Sequence, residues 1–144
     1  MNRFIRLISL IMVVAVLLAV PVFSEEETAP KASHYIMRTC VYLDQIASIQ
    51  FNVWYEVIAL GIMDEVGAYS IRIQESTDGQ TWTTVKTFYA SDTPSMVLEN
   101  DMGHSGYVTY TGYLGRYYRA KVIFFARNGN GEGQVSHTTE IIRL

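Results

Sequence analysis

A single cysteine, Cys40, stands in a chain of 144 residues, so no disulfide can form within it and the core alone must hold the fold together. Cys40 sits in the strand-like run Thr39-Cys40-Val41, where it reads as a small buried hydrophobe. Basic residues are also few, 11 Lys and Arg against 14 Asp and Glu. They form no cluster, which argues against nucleic acid as a partner, because phosphate binding runs on grouped Lys and Arg. Histidine is scarce: His34, His104 and His137 lack the short spacings of a structural zinc site. The nucleophile elbow Gly-x-Ser-x-Gly is absent, and the neighbours His104 and Ser105 do not make a nucleophile and base pair by adjacency. Gly129, Gly131 and Gly133 precede a strand where a phosphate cradle would need a helix. Asn128, Asn130 and Glu132 echo the start of a calcium loop, but Thr139 stands where the closing glutamate belongs. No cofactor, no metal and no catalytic residue is therefore expected.

Long apolar runs are missing after the first 24 residues, but one is present before. Residues 7–23 carry no charge, follow Arg3 and Arg6, are broken by Pro21, and end at Ser24 before Glu25, Glu26 and Glu27. That order is the n-region, h-region and small-residue exit of a signal peptide. A membrane anchor competes, since about 17 apolar residues is the lower limit for a span. Pro21 before the cut and the acidic stretch after it favour cleavage. No cysteine follows the run to accept a lipid, and no second apolar span or basic tail closes the chain. The expectation is a signal helix over residues 1–24 cleaved near Ser24, a disordered acidic spacer over 25–33, and one domain over 34–144 released outside the cell. Membrane contact is expected only through the signal before its removal. Losing Arg3 and Arg6 leaves 9 basic against 14 acidic residues, a distinctly acidic mature protein.

From His34 onward the 3.6-residue period is absent and apolar residues recur every second position. Tyr35, Met37, Thr39, Val41 and Leu43 share one face of a first strand. Ile49, Phe51, Val53, Tyr55 and Val57 share one face of a second, with Gln50, Asn52, Trp54 and Glu56 opposite. A loop is expected over 61–67, then a strand with Tyr69, Ile71 and Ile73 inward. Asp78-Gly79 signals a hairpin, with the return strand from Thr81 to about Tyr89. Thr93-Pro94 marks a crossing loop, and weaker strands come near 96–99 and 107–110. The most regular strand buries Tyr118, Ala120, Val122, Phe124 and Ala126 and exposes Tyr117, Arg119, Lys121 and Arg127. A last strand runs from about Val135 to Ile142. About seven short strands in a chain this size predict an all-β fold, a single antiparallel sandwich of two sheets.

Two motifs carry a resemblance. Ser76-Thr77-Asp78-Gly79-Gln80-Thr81-Trp82 resembles the Asp-box of sialidases, with the tryptophan one residue early, and is similar to hairpins of fibronectin type III-like and discoidin-like sandwiches. Ser76 and Asp78 can accept turn amides, Gly79 supplies positive φ, and Trp82 covers the hairpin. Asp78, Gly79 and Trp82 thus mark a turn. Tyr118, Ala120 and Val122 look like the Tyr-x-Val-x-Val strand of fibronectin type III-like or immunoglobulin-like domains. That likeness implies a corner role for Tyr118, bonding back to the backbone. Signal, spacer, hairpin and Tyr-Tyr-Arg-Ala strand together are similar to small exported proteins of Gram-positive bacteria grouped as a domain of unknown function, a resemblance that implies no activity.

The residues still unassigned are aromatic. Trp54, Tyr42, Tyr89, Tyr107, Tyr110, Tyr113 and Tyr117 are too many for one core, and exposed Tyr and Trp suit protein or sugar partners. Trp54, Tyr110 and Tyr117 are the candidate binding residues. The function expected is a secreted, non-catalytic interaction module for a protein or cell-surface component. The alternative is a carbohydrate-binding module in which Trp54 or Tyr110 stacks on sugar and Asp101 or Glu132 helps hold calcium. A hydrolase or toxin is the remaining reading, and it requires a cleft joining His104, Asp101 and Ser105. The exported form is expected to begin at Glu25, which N-terminal sequencing of secreted protein checks; a start before Leu18 would make the segment an anchor.

Overall fold

The structure is a computed structural model and describes residues 34–144. The expected signal peptide and acidic spacer lie outside the described residues. Seven strands run in the order β1 Ile36–Ala47, β2 Gln50–Ser76, β3 Thr83–Tyr89, β4 Val97–Thr111, β5 Tyr117–Asn128, β6 Gly131–Thr138 and β7 Ile142–Arg143, with one 3-10 turn at Pro94–Met96. The all-β expectation holds, and the pairing is antiparallel throughout. The two expected sheets, however, are hydrogen-bonded into one seven-stranded sheet. The reason is β2, which is 27 residues long. Its first half lies between β1 and β4, its second half between β3 and β5, and β6 and β7 continue from β5.

The sheet curls so that its halves face each other. Phe51, Val53 and Val57 on the first half and Tyr118, Ala120, Val122 and Phe124 on β5 are completely buried. The ring of Phe51 lies 5.3 Å from that of Tyr118, and Tyr55 lies 6.5 Å from Phe124. Burying each such side chain contributes about 1.5–3 kcal/mol, and with no disulfide these contacts carry the fold.

The period-two pattern places β5 and residues 51–57 of β2 correctly. It slips where the ladder is irregular. The β1–β2 register shifts between Ile36 and Arg38, so Ile36 is buried and Met37 exposed. The β2–β5 register shifts between Ala68 and Ser70, which turns Tyr69 outward and Ser70 inward. An added residue in one strand reverses the faces of the residues beyond it. Ile49, just before β2, is also exposed.

Residues 61–67 are not a loop. They remain extended because Met63, Val66 and Gly67 are buried and Glu65, Val66 and Gly67 pair with both β4 and β5. A Cβ at Gly67 would collide with the Met96 carbonyl oxygen, so glycine is what lets β2 pass beneath the 3-10 turn. Cys40 is exposed, against expectation, because Val41 takes the inward place and Cys40 must alternate out.

Tyr118 fixes the corner ahead of β5. Its hydroxyl accepts a hydrogen bond from the Tyr113 backbone N–H at 2.9 Å and donates to Glu75 Oε2 at 2.6 Å. Gly112 allows this approach, since a Cβ there would sit 2.6 Å from the tyrosine ring. Tyr118→Phe leaves two partners unsatisfied and is expected to cost about 1–3 kcal/mol. Urea unfolding measures it, and an unchanged midpoint would show that the hydroxyl holds nothing.

Candidate functional site

The outward face of the first half of the sheet is a grid of side chains ordered by strand register. One row joins Tyr42 on β1, Trp54 on β2 and Tyr107 on β4, since Trp54 is the cross-strand partner of both tyrosines. The Tyr42 and Trp54 rings are stacked at 6.4 Å and 12°, and Trp54 meets Tyr107 at 4.6 Å and 42°. Tyr42 is 52% exposed and Tyr107 55%, with Trp54 half-buried between them. The rings face solvent because their inward neighbours Val41, Val53, Tyr55 and Val108 fill the core.

Polar rows border this strip. On one side Asp44, Asn52 and Thr109 are register partners, with Thr109 Oγ1 donating to Asn52 Oδ1 at 2.7 Å. On the other lie Cys40, Glu56 and Ser105, and Glu56 pairs with Arg38. The arrangement is an apolar strip edged by acceptors and donors, suited to stacking and hydrogen bonding.

Of the three expected binding residues, Trp54 alone lies in this row. Tyr110 turns toward the core, 5.7 Å from Phe51 and 6.0 Å from Tyr118, and burial pushes its hydroxyl pKa up. Tyr117 is in the other half, its ring against Gly79 and beneath the Arg143 guanidinium at 5.2 Å. Tyr42 and Tyr107 complete the strip. Their exposure comes from alternation, but their meeting at Trp54 depends on the pairing of distant strands.

The remaining chemical candidates are held in structural contacts. His104 Nε2 lies 2.8 Å from the Ser95 carbonyl oxygen and 3.3 Å from the Tyr55 hydroxyl, whose pKa burial pushes up to about 12. Ser105 is on the opposite face of the strand, so the two do not form a nucleophile and base pair. Asp101 Oδ1 accepts from the backbone N–H groups of Met102 and Gly103. Glu132 accepts from Gln134 and faces Arg127. Among the described residues no group of three His, Cys, Asp or Glu could hold a metal ion. A groove of about 340 Å³ lies on the second half, lined in part by Tyr69 and Phe125. Along its rim Glu99, Glu65, Arg127 and Glu132 form one row across four strands, and Arg127 pairs with Glu65.

Asp78 and Gly79 build the β2–β3 connection, which is wider than a two-residue turn, since Glu75 pairs with Thr83. Gly79 has φ 73°. Asp78 Oδ1 accepts from the N–H groups of Gln80 and Thr81, each at 2.8 Å. Ser76 Oγ accepts from those of Asp78 and Gly79 and donates to Asp78 at 2.8 Å. Trp82 lies under the Arg119 guanidinium at 4.4 Å.

No protein-family model and no curated protein matches the chain. Among solved structures, a family 76 glycoside hydrolase from a bovine Bacteroides thetaiotaomicron strain is similar over 78% of this chain, at 12% identity and a TM-score of 0.32. The match spans 20% of that hydrolase, and a likeness this weak carries no argument.

The Asp78 carboxyl is held far below its ordinary pKa of 3.8 by the Thr81 and Gln80 backbone N–H groups and then by the Ser76 hydroxyl. Its folded pKa is lowered, so its charge stabilises the fold above the unfolded value and that contribution fades as pH falls below it. Stability is expected to decline below about pH 4, and less steeply in Asp78→Asn. Chemical denaturation from pH 6 to pH 2 checks this; parallel profiles for the two proteins would refute it.

Proposed function

We propose that residues 34–144 form a non-catalytic binding module of an exported protein, with the Tyr42–Trp54–Tyr107 row as its contact surface. The observation that carries the reading is that three large rings from three strands line up on an open sheet face, two of them more than half exposed. Contiguous exposed aromatics mark interaction sites on soluble domains, and Trp and Tyr dominate the binding energy of such surfaces. His104 and Ser105 line a hollow of about 380 Å³ that does not include Asp101; the hold of the Ser95 carbonyl on His104 and the backbone-capping role of Asp101 support a non-catalytic role. Export rests on the signal-like order of residues 1–24.

The partner is a protein or a component of a cell surface. A glycan is the second reading, favoured by the polar rows that border the aromatic strip. The exposed Tyr42 and Tyr107 rings can meet the apolar face of a sugar, while Asp44 and Glu56 alongside can receive its hydroxyls. The finer fold assignment is fibronectin type III-like. Its support is the pairing order, β1–β2–β4 on one half and β3–β2–β5–β6 on the other, together with the Tyr118 hydroxyl bonded to the Tyr113 backbone.

Trp54→Ala is expected to fold, by circular dichroism, and to weaken binding about 30-fold, the scale of a 2 kcal/mol aromatic anchor. Tyr117→Ala is expected to bind as wild type. Titration of whole cells and a glycan array read both variants. Undiminished binding by folded Trp54→Ala would reject the aromatic row.

A further inference from the structure

Sheet edges are where a β-domain is open to other chains, because an unpaired strand offers a row of free N–H and C=O groups. The edges of this sheet are treated unequally. β1 and β6 approach each other, with Thr39 Oγ1 3.3 Å from His137 Nδ1. β3 is seven residues long and carries Lys86, a short strand with a guarding charge. β4 is 15 residues long and pairs on one side, with β2; on the other it has no strand partner among the described residues. Its sequence contains neither lysine nor proline. From Gly103 to Thr111 it pairs with β2 at nine successive positions without a shift, so no bulge turns the edge away. Within that stretch there is no Asp, Glu, Lys or Arg. No charged side chain, proline or bulge blunts the edge within it.

We propose that this edge pairs with the same edge of a second copy, joining two domains in a two-fold dimer through antiparallel β4 strands centred on Tyr107. Charge admits a second copy in this register. With Tyr107 opposite Tyr107 of the other copy, Ser105 faces Thr109 and Gly103 faces Thr111, all uncharged. The acidic Glu99 and Asp101 fall beyond the paired stretch, so the net negative domains do not bring like charges together. The aromatic row supplies the second argument. It ends at the edge, on Tyr107, which is 55% exposed. Pairing there sets the two Tyr107 side chains side by side at cross-strand distance and continues Tyr42–Trp54–Tyr107 into a row of six rings. A two-fold contact of this kind is isologous, each residue meeting its counterpart, and it closes at two copies.

The pairing depends on the edge and not on the ligand of the aromatic face, so it stands or falls apart from the proposed function. The test needs no ligand: sedimentation equilibrium of the wild-type protein, of Ser105→Lys/Thr109→Lys and of Ser105→Lys/Thr109→Glu, each checked for folding by circular dichroism. Wild type is expected to dimerise. The double lysine variant sets like charges opposite each other at two places and is expected to raise the dissociation constant about tenfold or more. In the lysine and glutamate variant each introduced lysine faces an introduced glutamate of the other copy, and dimerisation is expected to return. A wild-type monomer at the highest soluble concentration overturns the proposal. So does a dimer that persists in the double lysine variant, or a lysine and glutamate variant that stays monomeric.

Discussion

Four of the other six strands hydrogen-bond to β2, and that strand sets the geometry of the molecule. Its first half carries β1 and β4, its second half β3 and β5. A chain joining the two layers through a free loop would have to fix their relation by packing alone. Here the backbone ladder of β2 does it, and the curl brings Phe51 against Tyr118 and Tyr55 toward Phe124. The crossing point tolerates no side chain at Gly67. Continuity of β2 thereby joins the layers as a disulfide does in many small secreted domains, and the single exposed Cys40 takes no part in it.

Legibility in the sequence tracked the regularity of the ladder. On β5, where inward residues alternate without interruption from Tyr118 to Ala126, every expected buried position is completely buried. The same holds for Phe51, Val53 and Val57. Met37 and Tyr69 went the other way because a register shift sits beside each, and a bulge leaves no mark in an alternating pattern read from one strand. Residues 61–67 looked like a loop for a related reason. Their two glycines and two acids break the apolar period, yet strands on both sides and the buried Met63 and Val66 keep the chain extended.

The aromatic row was half legible. Alternation alone puts Trp54 opposite the buried set. That Tyr42 and Tyr107 stand beside it depends on a register between strands 12 and 53 positions away, which no local pattern encodes. Tyr110 was misleading because it lies three residues from Tyr107 in the same strand and so takes the opposite face, where it packs on Phe51.

The distinctive motifs and the candidate site also turn out to occupy different parts of the molecule, and the physics explains why. A turn such as Ser76 to Trp82 needs particular residues, because its amides must find acceptors where no ladder supplies them. Asp78 and Ser76 answer that need, and the Tyr118 hydroxyl answers it at the next corner. Such positions leave a recognisable signature whatever the domain binds. An outward sheet face has its backbone satisfied by the ladder, so its side chains are free to vary and produce no motif. Function carried on the Tyr42–Trp54–Tyr107 face would therefore be invisible to motif reading and visible only once the strands are paired. The open β4 edge obeys the same logic. It is distinguished by the absence of a blunting charge, proline or bulge from Gly103 to Thr111, a property of the strand's place at the sheet's margin and not of any residue within it.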